Sequence, residues 1–157
     1  GKWIKMVGDK KLIAETLVGI SNQRMMRTLC DECKQGYAPN KELLKKFNLP
    51  AEKAKVLYRP GKEVYDKRGK PSVCDHCQGT GYVGRTSVFE MVTLTDELRK
   101  AIRQVKQLPE LGMHFRRAKM LYLQEQALRK VIAGKTAINE MLRVLSSSKR
   151  QNRSAAK

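Results

Sequence analysis

The chain has 157 residues, 41% of them apolar and 6% aromatic, which suffices for one domain or two small ones around a modest core. No apolar run approaches the roughly eighteen residues of a membrane-spanning helix, so this sequence contains no such segment. The net charge of +18 is uneven: residues 98–157 hold 15 basic and 3 acidic side chains (+12), and residues 1–97 hold 18 and 12 (+6). That excess suits a polyanionic partner such as nucleic acid, an anionic membrane surface or an acidic protein face; its plain alternative is the solvated surface of part of a larger assembly.

Residues 1–9 carry no start signal, and Lys2–Val7 reads as the interrupted end of an element, as if the chain began inside something larger. Leu12, Ile13, Leu17 and Ile20 fall on one face at helical spacing, which predicts a helix over residues 10–23. Arg24–Leu29 reads as a short strand running into Cys30. Past a Tyr37-Ala38-Pro39 turn, Asn40 caps a predicted helix over 41–47 with Leu43, Leu44 and Phe47 as its apolar contacts, and Pro50 opens a further helical turn. Val56–Tyr58 reads as a strand ended by Pro60-Gly61, and residues 61–73 read as an exposed hairpin.

Arg85–Leu94, rich in Thr, Val and Phe, reads as a strand. Thr95 then caps a helix, with Asp96 and Glu97 at its positive dipole end and Leu98, Ile102 and Val105 facing inward. A longer helix is predicted from Pro109 to about Ala133, carrying Leu111, Phe115, Ala118, Tyr122 and Leu128 and stopped by Gly134. Thr136 is read as the cap of a last helix with Ile138, Met141, Leu142 and Leu145 at three-four spacing. From Ser146 the composition reads as a disordered basic tail. The expected fold class is α+β, mainly α-helical. Its expected parts are residues 1–29 (the end of a larger core), a module over 30–94, a helical bundle over 95–145 and the tail 146–157.

The chemistry concentrates in two cysteine pairs, Cys30-Asp-Glu-Cys33 and Cys74-Asp-His-Cys77. Two intervening residues let both sulfurs of a pair turn to one point, and two such knuckles supply four thiolates in a tetrahedron. Zinc suits that donor set. A catalytic zinc keeps one position open, whereas four sulfurs fill all of them, so the expected ion is structural Zn2+. Gly79, Gly81 and Gly84 let the backbone fold tightly beside it. Two disulfides, or free buried thiols, are the alternatives; no apolar signal segment precedes the cysteines, which points to the cytoplasm, where disulfides are rare. His76, inside the second knuckle, is a further candidate ligand. Gly134-Lys135-Thr136 looks like the end of a phosphate-binding loop, but the required first glycine falls on Arg129, and a helix precedes it. No catalytic set emerges, with His76 at the metal and His114 on a basic helix.

Cys74-x-x-Cys77-x-Gly79-x-Gly81 resembles the glycine-cysteine repeat of J-type co-chaperones, which carry four such repeats; the first pair, continuing Lys34-Gln35-Gly36, departs from it. A longer series runs from Leu17 through Gln23-Arg24, Arg27-Thr28-Leu29-Cys30-x-x-Cys33 and Leu57-Tyr58-Arg59. It continues with Cys74-x-x-Cys77-x-Gly-Thr-Gly-Tyr-x-Gly84-Arg85-Thr86-x-x-Phe89-Glu90 and ends in Ala127–Val144. This order resembles the C-terminal part of the type II secretion and type IV pilus assembly ATPases, over about residues 11–145.

The resemblance implies part of a hexameric traffic ATPase that drives pilin-like subunits into a filament and meets an inner-membrane platform protein. It carries over Cys30, Cys33, Cys74 and Cys77 as metal ligands, and Gln23, Arg24, Gly84 and Arg85 as structural signature positions. The family's phosphate-binding loop, acidic metal-coordinating motif and histidine-rich stretch have no match here. The expectation is therefore a non-catalytic zinc-binding part with structural and docking roles, cytoplasmic and peripheral to the inner membrane. Its expected partners are the rest of the motor and, through the basic C-terminal helices, the platform protein or an anionic membrane surface. The competing readings are a zinc-stapled nucleic-acid-binding module, for which the aromatic content is thin, and a chaperone-type zinc module.

Overall fold

The computed structural model describes residues 6–61, 63–65, 68–107, 110–118, 120 and 122–154, with side chains of the last helix described to Ser146. The described residues form six helices and three two-stranded sheets, an α+β fold. They fall into two compact units, one from residues 1–23 and 89–122 and the other from 24–88 and 123–157.

In the first unit α1 spans Lys10–Thr16, and Asp9 Oδ1 caps it by accepting from the backbone N–H of Lys11 (2.7 Å) and Leu12 (3.1 Å). The helix is half the predicted length. Val18 and Ile20 are β-branched and Gly19 disfavours helix by about 1 kcal/mol, so the chain turns extended at Leu17. Strand β1, Gly19–Leu29, follows and pairs with β6, Tyr82–Thr93. The Val18 carbonyl accepts from Leu94 N at 2.8 Å, and Asn22 Nδ2 donates to Glu90 Oε1 at 2.9 Å. Of the predicted apolar stripe only Ile13 is buried; Leu12 and Ile20 are exposed.

Helix α3, Asp96–Gln104, begins as expected: Thr95 Oγ1 accepts from Leu98 N at 3.4 Å, and Leu98, Ile102 and Val105 are buried. A short α4, Leu111–Arg117, follows. Ile13, Ala14, Leu94, Ala101, Ile102, Val105 and Leu111 form this unit's core, with Leu17 and Phe115 against it. Arg99 donates to the carbonyls of Ala14 and Glu15, and Lys10 Nζ to that of Val105 (2.9 Å). Cations thus satisfy the last carbonyls of two helices.

In the second unit β2 (Gln35–Tyr37) pairs antiparallel with β3 (Leu57–Arg59), Gly36 opposite Tyr58. The predicted hairpin is present as β4 (Glu63–Tyr65) and β5 (Pro71–Val73), Val64 opposite Ser72; its residues 62, 66 and 67 lie outside the described residues. Helix α2 spans Lys41–Phe47 with Asn40 Oδ1 accepting from Leu43 N at 2.9 Å, as predicted.

The single helix predicted from Pro109 to Ala133 is instead α4 and a separate α5, Leu123–Ile132. Its apolar residues are divided: Leu111 belongs to one core, and Leu123, Ala127 and Val131 to the other. One stripe on one straight helix does not serve two cores. Gly134 ends α5 at φ +66°, where a Cβ would lie 2.8 Å from the Tyr58 ring. The last helix, α6, spans Ile138–Ser154 and so runs past Ser146. Its cap is not Thr136. Met141 N donates to Ala137 O at 3.1 Å, which makes Ala137 the capping position, and the buried Thr136 hydroxyl donates to Arg27 O at 2.8 Å. Met26, Leu57, Val88, Ala127, Val131 and Met141 lie at the centre of this core.

A candidate metal centre

Cys30 follows the end of β1 and Cys33 sits in the turn after it; Cys74 follows β5, and Cys77 lies in the turn that leads to β6. Each knuckle closes on itself, with Lys34 N donating to Cys30 O (3.0 Å) and Gly79 N to Cys74 O (3.3 Å). Cys30 N also donates to Gly81 O at 3.0 Å, which holds the two knuckles together. Two glycines let the Pro60-Gly61 segment pass close to both knuckles. A Cβ on Gly61 would sit 1.8 Å from Cys33 O, and one on Gly81, at φ +72°, would sit 2.5 Å from Pro60 Cβ.

The four sulfurs lie within 4.8 Å of one another, and the four residues are free cysteines, all buried. Cys30 Sγ is 3.9 Å from Cys74 Sγ, and Cys33 Sγ is 3.6 Å from Cys77 Sγ. A tetrahedron with Zn–S bonds of about 2.3 Å has edges of about 3.8 Å, close to both of these separations. Among the described residues no other group of three or more His, Cys, Asp or Glu side chains is gathered in this way. His76 is exposed and lines an open cavity of about 520 Å3 with Glu32, Val64, Cys74 and Asp75, outside the four-donor set.

The thiols differ electrostatically. Burial pushes Cys33 up. Burial also opposes ionisation of Cys77, but hydrogen bonds from the Gly81 amide, from the Cys33 and Cys74 thiols and from the Gly79 amide outweigh it and bring it down to about 6. Gly81 N donates to Cys77 Sγ at 3.2 Å. Four thiolates around one ion leave no position for a substrate, so the chemistry such a site supplies is cross-linking of chain segments.

Sequence reasoning missed two supports. Val64, from the hairpin read only as exposed, packs against the four cysteines. The buried Glu140 carboxylate accepts from Arg27 N (3.0 Å), Nε (3.1 Å) and Nη2 (2.8 Å), and from Arg143 Nε (2.8 Å) and Nη2 (2.7 Å). It ties α6 to β1 three residues before the first ligand, and the Arg27 guanidinium also lies over the Tyr82 ring, 4.1 Å from its centroid. Hydrogen bonds from Arg143, then from Arg27, outweigh burial and hold the Glu140 carboxyl at about 2. The three-residue spacing of Glu140 and Arg143 was a visible signal for half of this cluster.

On the C-terminal helices Arg103, Arg116 and Arg129 are exposed, as is Arg143. Arg143 is committed to Glu140, Lys130 donates to Thr86 Oγ1 at 2.7 Å, and Lys119 lies outside the described residues. Gly134-Lys135-Thr136 forms no phosphate loop: Lys135 O accepts from Leu29 N at 2.9 Å, so the stretch is a brace on β1.

Residues 3–143 match the family described as Type II/IV secretion system protein. The chain belongs to that family. It is 34% identical over 130 residues to a type IV pilus assembly ATPase, PilB, of Thermus thermophilus, covering 83% of this chain and 14% of that protein. It is 31% identical over 137 residues to a type II secretion system ATPase E of Vibrio cholerae, covering 87% and 25%. It is 34% identical over 134 residues to a type II secretion system protein E of Dickeya dadantii, covering 85% and 24%. The secretion-family chain thus spans 14% to 25% of the length of these relatives. Among its described residues no helix is long and apolar enough to cross a membrane.

Proposed function

We propose that this chain is the zinc-binding part of a secretion or pilus-assembly traffic ATPase, with Cys30, Cys33, Cys74 and Cys77 holding one structural Zn2+. The observation that carries the reading is the gathering of four buried sulfurs, from two knuckles 44 residues apart, in a chain of this family. When bound, the ion cross-links β1, β6 and the hairpin between them. The module is non-catalytic by itself, works within a cytoplasmic homo-hexameric motor, and keeps the segment after the catalytic core in shape. Elemental analysis of protein purified without chelator tests the metal: one zinc per chain is expected, and protein without metal refutes it. ATP turnover by this chain that survives removal of contaminants would overturn the non-catalytic reading.

The docking role rests on charge. Lys100, Arg103, Lys106, Arg116 and Arg117 are exposed in the first unit, and Arg129 in the second. In a motor at the inner membrane they face anionic headgroups or the cytoplasmic domain of the platform protein. A Lys or Arg near an anionic bilayer contributes about 1 kcal/mol. Charges of this kind are screened within about 8 Å at physiological ionic strength, so binding falls as salt rises. Co-sedimentation with anionic vesicles, and pull-down of the platform's cytoplasmic domain, each at low and moderate salt, test this. No binding to either at low salt would leave the charge as solvated surface.

A further inference from the structure

We propose that the four-cysteine cluster is also an oxidation site, at which a peroxide-class oxidant joins Cys33 to Cys77 in a disulfide that expels the metal yet keeps the two knuckles linked. Metal release rests on the zinc reading above; the cross-link rests on the sulfur positions alone. Two close sulfur pairs join one knuckle to the other, and Cys33–Cys77 is the shorter, at 3.6 Å against 3.9 Å for Cys30–Cys74. A disulfide is about 2.05 Å long, so Cys33–Cys77 has the smaller gap to close. It is also the more accessible pair, with Cys33 and Cys77 at 5% and 6% exposure against 0% and 1% for Cys30 and Cys74.

The two sulfurs are unlike in their surroundings, and this sets the order of events. Cys77 Sγ accepts the Gly81 N–H, whereas Cys33 Sγ lies 3.3 Å from the Gly61 carbonyl oxygen, which has no proton to offer a thiolate. The thiolate is the attacking form, and the Gly81 N–H favours it on Cys77. Cys77 sulfur therefore attacks a peroxide oxygen; the O–O bond breaks, the departing hydroxide takes a proton to become water, and Cys77 carries a sulfenic acid. Cys33 sulfur then attacks Cys77 sulfur, the S–S bond forms, and the expelled hydroxide is protonated to a second water. Two thiolates, one hydrogen peroxide and two protons become one disulfide and two waters. With two of its four ligands lost, the ion leaves. The segments at Cys33 and Cys77, 44 residues apart, stay joined, so the module keeps a staple where metal loss alone would leave none.

The experiment uses the full chain loaded with zinc, its metal content measured first. Hydrogen peroxide is titrated in, zinc release is followed with a chromogenic chelator, and disulfides are mapped by mass spectrometry of alkylated, non-reduced digests. One zinc released per chain, Cys33–Cys77 as the first cross-link, and recovery of the zinc-bound state with dithiothreitol and zinc are expected. A first cross-link within a knuckle or at Cys30–Cys74, sulfinic acids without a cross-link, or zinc-loaded protein that never forms Cys33–Cys77 would overturn the proposal and leave the zinc reading standing. Protein that purifies without metal yet forms Cys33–Cys77 would support the cross-link and refute the zinc reading.

Discussion

The two units of this chain are held by different physics. The unit built on α1, α3 and α4 has a core of aliphatic side chains with cations on its helix ends, and no buried polar or charged side chain among those described. The unit that holds the cysteines buries Thr136 and Glu140 beside its apolar core, and adds four clustered thiols. Apolar contacts are interchangeable, and their loss is graded by volume. A buried carboxylate or a four-sulfur site depends on every partner being present, and its loss is abrupt. The second unit is thus the more specified of the two and the more fragile to single changes.

The sharpest way to break this contrast is at a ligand. Cys33→Ser is expected to abolish stoichiometric zinc and to collapse hydrogen-exchange protection in residues 24–88, with a smaller effect on residues 89–107. Structural zinc contributes about 10 kcal/mol or more in small zinc-dependent folds, so this is the largest effect. Equal loss of protection in both regions would erase the distinction.

Glu140→Ala comes next. It leaves Arg27 and Arg143, each about half exposed, without their carboxylate and is expected to cost about 3 kcal/mol in chemical denaturation. The same carboxylate gives a pH dependence. Its folded value, about 2, lies below its ordinary 4.5. The stabilisation is therefore full above about pH 4.5 and is lost as pH falls toward 2, on the order of 3 kcal/mol in all. Denaturation curves of the wild type should drop across that window, and those of Glu140→Ala should lack that part of the drop.

Ile102→Ala probes the aliphatic unit. It is expected to cost about 2–4 kcal/mol with zinc content unchanged, and loss of zinc here would show that the units are not held separately. The smallest effect belongs to Asn40→Ala, which removes the cap of α2 for about 1 kcal/mol, read as a small shift in Tm.

What the sequence showed and what it hid follow the same division. The knuckles, the caps at Asn40 and Thr95, the hairpin and the Gly134 stop were legible because each is a local rule about a few adjacent residues. The length of α1 was not, because apolar spacing over residues 10–23 fits a helix equally well until Gly19 and the pairing of β1 with β6 are known. Thr136 looked like a cap for the same reason; its hydroxyl is instead taken by a carbonyl 109 positions away. The long helix to Ala133 failed because its stripe serves two cores, and sequence order does not reveal that residues 1–23 and 89–122 share one. Glu140 had only Arg143, three positions on, as a visible partner until Arg27, 113 positions distant, was placed beside it.

That distance sets a timetable for the nascent chain. Cys30 is synthesised 44 residues before Cys74, which at about 5–20 residues per second is roughly 2–9 s. The lag from Arg27 to Glu140 is 113 residues, or roughly 6–23 s. Strand β1 is therefore made first and secured last. Its thiols wait for the second knuckle, and its arginine waits longer for the carboxylate. In that interval an ion, a thiol-reactive molecule or a holding chaperone meets two bare cysteines just past an unpaired strand, and slower translation lengthens the exposure in proportion.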